Sequence, residues 1–136
     1  AAMNSIPYAV ATALVKGSVG VGDFNAEARA DEAVLRMAAR IEHDVDPELA
    51  APGAVEPGIV TLRCHDGSVY RERVEVARGQ PARPLSFEDT ADKFTRNVAF
   101  ARPEMSAGAI DGLVAAVRDL ERLGDLDRFL QLLSAS

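Results

Sequence analysis

Residues 59–77 read IVTLRCHDGSVYRERVEVA. Val60, Leu62 and Cys64 alternate with Thr61, Arg63 and His65, and Tyr70, Val74 and Val76 alternate with Arg71, Arg73 and Glu75. A period of two is that of a strand with one face turned inward. Asp66-Gly67 lies between the runs, and Asp-Gly suits a two-residue type I′ turn, which needs positive φ at both central residues. The stretch predicts a β-hairpin with Asp66-Gly67 at its tip and Cys64 in the core. A hairpin alone is marginal in water, so a third strand must join it. ARIEHDV, around Ile41 to Val45, is the expected supplier.

Helical signals surround the hairpin. SIPYAVATALVKG predicts a first helix with Ser5 as cap, Pro7 in the first turn and Gly17 at the end. SVGVGDF reads as loop. DEAVLRMAARI predicts a second helix, capped by Asp31, with Val34, Met37, Ala38 and Ile41 at helical spacing. Asp46-Pro47 opens a short turn, with Glu48 next, before a loop rich in proline and glycine. LSFEDTADKFTRNVAF predicts a third helix, with Ser86 and Asp89 as a capping-box pair and Pro103 beyond its end. One further helix is expected from Ser106 to Leu123, then a break at Gly124 and a short final helix. The class is α+β: a small antiparallel sheet with a hairpin, helices packed around it, and helices at the C-terminus. So little sheet cannot cover so many helices. The first helix and the last two are expected to keep apolar faces for another surface.

Composition narrows the function classes. The chain has 136 residues, of which 48% are hydrophobic, enough for one domain with a core. Its formal charge is -6, so no nucleic-acid partner is expected. No apolar run approaches the ~18–20 residues that span a bilayer, and no membrane partner is expected. Cys64 is the single cysteine, which suits a reducing cytosol, and a cytoplasmic location is expected. Cys64 and His65 are neighbours with no second pair, which argues against a zinc site. Because the sequence enters a helix almost at once, it is expected either to be cut from a larger protein or to lack an upstream partner.

The order of motifs carries a resemblance. NSIPYAVATALVKG (4–17), DPEL (46–49), LRCHDGSVY (62–70) and RGQPARPLSFEDTADKFTRN (78–97) follow one another in register. This series resembles the C-terminal domain of the MmgE/PrpD family, which includes 2-methylcitrate dehydratase, cis-aconitate decarboxylase and iminodisuccinate epimerase. The resemblance implies a lid over residues 1–105. A helical tail over 106–136 would pack on a large helical domain that precedes the lid. The segment from Gly79 to Ser86 would link the lid's sheet to a helix carrying Lys93-Phe94.

The resemblance also implies chemistry. Family members act on small di- and tricarboxylates, with no redox cofactor and no metal expected. They remove a proton beside a carboxylate and then eliminate water, lose carbon dioxide or return the proton to the other face. The site would be shared between lid and helical domain, so this chain alone is expected to be inactive. A homodimer is implied for the full-length protein. Asn4 stands where cis-aconitate decarboxylase has a histidine. An asparagine cannot be a base at neutral pH but can donate a hydrogen bond to a carboxylate. This departure weighs against decarboxylation of that type and leaves dehydration and epimerisation open.

Four residues are candidates on this reading. Asn4, Ser5 and Asp44 would bind substrate, and His43 would be the catalytic acid or base. Asn4 and Ser5 read equally as helix caps, and His43 as a partly exposed strand residue. Arg71 and Arg73, with Arg63 opposite, read as an anion patch or as the solvated face of a sheet. Arg83 and Lys93 flank the crossing from sheet to helix and read as surface residues or as groups reaching a carboxylate from the lid side. The reading from another class is an α+β interaction module that binds a protein or itself through exposed helical faces.

Overall fold

The computed structural model describes residues 4–47, 49, 57–101 and 104–134. In chain order its elements are helices α1 (Ile6–Lys16) and α2 (Glu32–Ala38), strands β1 (Gly58–Arg63) and β2 (Val69–Val74), and helices α3 (Phe87–Val98), α4 (Ala107–Arg118) and α5 (Asp127–Ser134). The α+β class holds. The chain divides into two compact units, Ala1–His43 with Phe87–Ser136, and Asp44–Ser86.

The helical unit is organised by α1. Ser5 stands in extended geometry ahead of Ile6, and its side chain accepts the Tyr8 N–H at 3.3 Å. Gly17 ends the helix at φ 78°, a left-handed turn that glycine adopts without a Cβ penalty. Asp31 starts α2 by accepting the Ala33 and Val34 N–H groups at 2.9 and 3.3 Å. Ala11, Thr12 and Val34 are fully buried, and small residues on α1 let α2 approach closely. Thr12 satisfies its buried hydroxyl by donating to the Tyr8 carbonyl at 2.8 Å. Phe24, Met37, Ala38 and Ile41 pack around this centre. The expected loop after Gly17 is partly ordered as 3₁₀ turns at Val21–Phe24 and Ala28–Ala30.

The later helices meet through specific contacts. The Arg118 guanidinium lies 4.4 Å from the centre of the Phe87 ring and reaches Glu88 at 3.1 Å, joining α4 to α3. Leu132 of α5 lies so close to Gly112 that an added Cβ would stand 3.0 Å from it. α4 is shorter than expected. Asp119 leaves helical geometry at φ -106°, ψ 24°, and Leu120–Arg122 tightens into a 3₁₀ turn. Pro103, the expected stop for α3, lies outside the described residues, as does Glu48. α3 ends at Val98, where the Phe100 and Ala101 N–H groups turn back to Asn97 and Val98.

In the second unit β1 and β2 pair antiparallel from Gly58↔Val74 to Arg63↔Val69. The hairpin is as expected, but its turn is not. Cys64 C=O accepts the Gly67 N–H at 3.1 Å and Cys64 N–H donates to Ser68 C=O at 2.9 Å. The turn is therefore centred on His65-Asp66, with Gly67 left-handed at φ 86° as a third loop residue. Asp66 favours this geometry by accepting from both the N–H and the hydroxyl of Ser68. The longer loop leaves Cys64 beyond the strand and half-buried rather than in a core.

The expected third strand is absent among the described residues, where the sheet has two strands. Residues 41–46 are irregular. The Arg40 and Ile41 N–H groups close onto Met37 and Ala38, and Ile41 packs on the α1–α2 core instead of pairing with a strand. Beyond β2, Gly79 at φ 100° starts a tight crossing. Its N–H donates to the Arg83 carbonyl and the Arg83 N–H to the Gln80 carbonyl, both at 2.8 Å. The two prolines of the crossing, Pro81 and Pro84, have no N–H to leave unsatisfied.

Candidate functional site at the start of α1

Asn4 is exposed immediately ahead of the α1 cap. The Ser5 oxygen is occupied by the Tyr8 N–H, so Ser5 acts as a cap while its own O–H stays free to donate. The positive end of the helix dipole faces the same way, and the first turn holds no acidic side chain. Two donors, the Asn4 amide and the Ser5 hydroxyl, thus flank a helix N-terminus.

His43 is exposed in irregular chain after α2, not on a strand. Asp44 is also exposed, and its carboxylate accepts the adjacent Val45 N–H at 2.7 Å. Asn4, Ser5 and His43 fall in the helical unit, and Asp44 begins the second. No described contact joins His43 to Asn4 or Ser5. Arg71 is exposed on β2, Arg73 is bound through two nitrogens to Glu75, and Arg83 reaches the Val76 carbonyl at 3.5 Å. Lys93 is exposed on α3. Among the described residues, no three His, Cys, Asp or Glu side chains converge as metal ligands would.

A clamp below the α1 start was not evident from sequence. The buried Tyr8 hydroxyl lies 2.7 Å from the Asp23 carbonyl and 3.0 Å from the Ala28 carbonyl. Its one proton serves one acceptor at a time. Tyr8 also meets Phe24 with ring centres 5.9 Å apart. Two turns on, Lys16 reaches Asp23 at 3.1 Å and Asp31 at 3.7 Å. The Gly20 N–H and the Lys16 ammonium hold the Asp23 carboxyl below its usual range, and the Asp23 hydrogen bond raises Lys16. An open hollow of about 540 Å³ lies beside this cluster, lined by Lys16, Asn25, Glu27, Ala28, Ala30 and Asp31. None of the four candidate residues lines it. The clamp pins the loop from Gly17 to Asp31 against α1 and so fixes the helix that presents Asn4 and Ser5. Its only sequence signal is the Asp31 cap, since contacts between α1 and the loop have no fixed spacing.

The sequence profile of the MmgE/PrpD C-terminal domain matches residues 1–119. The chain belongs to the MmgE/PrpD family and carries its C-terminal domain. Cis-aconitate decarboxylase of Mus musculus is 28% identical over 140 residues, covering 97% of this chain and 26% of that protein. Cis-aconitate decarboxylase of Homo sapiens is 24% identical over 132 residues, covering 97% of this chain and 27% of that protein. The chain thus spans about a quarter of the length of these relatives. Among the described residues of this MmgE/PrpD domain, no helix is long and apolar enough to cross a membrane.

Proposed function

We propose that this chain is the lid of a cytoplasmic, cofactor-independent lyase or isomerase acting on small di- or tricarboxylates, in the manner of 2-methylcitrate dehydratase. The observation that carries the reading is the family match over residues 1–119, which includes the helix start bearing Asn4 and Ser5. Proton removal beside a carboxylate needs a base, donors for the carboxylates and exclusion of water. Asn4 and Ser5 supply donors at the positive end of α1, with Asp44 a further substrate contact. His43 serves as the acid or base from the lid side. A helical domain supplies the remaining groups, so the isolated lid is inactive and the intact protein works as a homodimer.

The two relatives are named for decarboxylation. Asn4 favours elimination of water or epimerisation here, because an amide takes up no proton at neutral pH. The test is deuterium uptake from heavy water by 2-methylcitrate, citrate and cis-aconitate. The catalyst is an intact polypeptide joining this chain to an MmgE/PrpD helical domain. Exchange with dehydration is expected, with loss of about tenfold or more in kcat/KM for Asn4→Ala and His43→Gln. Carbon dioxide release as the main outcome, or no turnover of any of the three, would overturn the reading.

A second reading has its own observation. Leu126, Leu130 and Leu133 recur along one stripe and are 59%, 57% and 54% exposed. In an interaction module this stripe would bind a partner protein or a second copy. Light scattering on the isolated chain separates the readings, since a concentration-dependent, well-defined oligomer favours the module.

A further inference from the structure

The hairpin carries cationic charge that its own carboxylates do not answer. In the observed register, Thr61 and Arg63 of β1 share a face with Val69, Arg71 and Arg73 of β2. Residues 58–86 contain three acids, Asp66, Glu72 and Glu75. Asp66 is taken by Ser68 at the turn, and Glu75 by Arg73. Glu72 pairs with Val60 and so belongs to the opposite face. Among the described residues, no carboxylate pairs with Arg63 or Arg71, and both are exposed. They hold diagonal positions, Arg71 across from Thr61 and Arg63 across from Val69. Such positions are about 7–8 Å apart at the backbone, close enough for two long side chains to converge on one small molecule. The chain as a whole is at -6, so this uncompensated pair is a local reversal of sign.

We propose that Arg63 and Arg71 form a two-point site for a small dicarboxylate on the hairpin face. A guanidinium presents a planar fork matched to a carboxylate, and it stays charged at any working pH. Two forks on one face favour a molecule with two carboxylates over one with a single carboxylate. The choice of a dicarboxylate over another dianion rests on the function proposed above. The site is open to solvent, so it binds weakly, is weakened by salt, and gathers substrate rather than performing chemistry.

The test follows the arginine Nε–H resonances of the 136-residue chain by NMR during additions of succinate, acetate and inorganic phosphate. Arg63 and Arg71 signals are expected to move together and saturate with succinate at a Kd on the order of millimolar. Acetate should bind about tenfold more weakly, and raising NaCl to about 0.3 M should weaken succinate several-fold. Arg63→Gln and Arg71→Gln should each reduce succinate to the acetate level. Arg36→Gln, on the exposed face of α2, should leave it unchanged. Equal binding of succinate and acetate, tighter binding of phosphate, or no movement would overturn the proposal. So would movement caused by raising the protein concentration alone, which would assign the face to an acidic protein surface. The readout is binding to the lid, so it can succeed where the turnover assay fails and the reverse.

Discussion

At the residue scale, Lys16 and Asp23 give this domain a defined pH response. Asp23 is held below its ordinary 3.8, first by the Gly20 N–H and then by Lys16. A depressed carboxyl contributes stability that is complete above its unfolded value and is lost as pH falls through the folded value. Asp23→Asn should therefore lower the urea midpoint at neutral pH, and the two midpoints should converge below about pH 4. Lys16 is raised above 10.5, chiefly by the Asp23 hydrogen bond. Its contribution is complete below 10.5 and is lost as pH rises through the higher folded value. Lys16→Met should therefore converge with the parent only in strong alkali. The two share one bond, so their effects should not add. Lys16 and Gly17 were legible as a helix end, but the partners of Lys16 were not, because a lysine's reach depends on where the loop returns.

At the element scale, caps and the α1–α2 contact decide stability. Asp31→Ala removes an acceptor of two N–H groups and one carboxylate facing Lys16. It should cost about 1 kcal/mol, seen as a fall in Tm of about 4 °C. Val34→Ala empties a fully buried position and should cost about 2 kcal/mol by urea unfolding. Gly22 touches the chain beyond α3, since a Cβ there would stand 2.7 Å from the Phe100 ring. Gly22→Ala should push the half-exposed Phe100 ring outward at little cost, seen as a shifted Phe100 ring signal by NMR with a nearly unchanged urea midpoint. The Ser5 and Asp31 caps were legible because a cap acts within three residues. The turn type was not, because Asp66 can serve either in a two-residue turn or at the second position of a longer one, and Ser68 settled which.

At the scale of the whole molecule, the chain keeps large apolar side chains in water. Ile6, Leu126 and Leu130 are all more than half exposed, and Val117 and Leu120 are nearly so. Exposed apolar side chains of this size are surfaces on which association removes area from water. Replacing Leu126, Leu130 and Leu133 together by Gln should lower the fluorescence of a dye that binds apolar surface, with helical circular dichroism retained. Unchanged dye binding would place the exposed surface elsewhere. The hairpin shows the same exposure: Val60, Leu62, Tyr70 and Val74 lie on one face and are 38–63% exposed.

The class, the hairpin and its strands, the helix starts at Ser5, Asp31 and Ser106, and the family are legible along the chain. All of these rest on local periodicity, on side chains acting a few residues away, or on ordered motifs. Tertiary structure decided that Ile41 joins a helical core instead of a third strand, because burial against α1 and α2 competes with pairing and depends on distant residues. It also decided that Tyr8 and Lys16 clamp the loop behind the α1 start, and that no carboxylate among the described residues pairs with Arg63 or Arg71. Those outcomes depend on which groups meet in space, and no spacing along the chain encodes that.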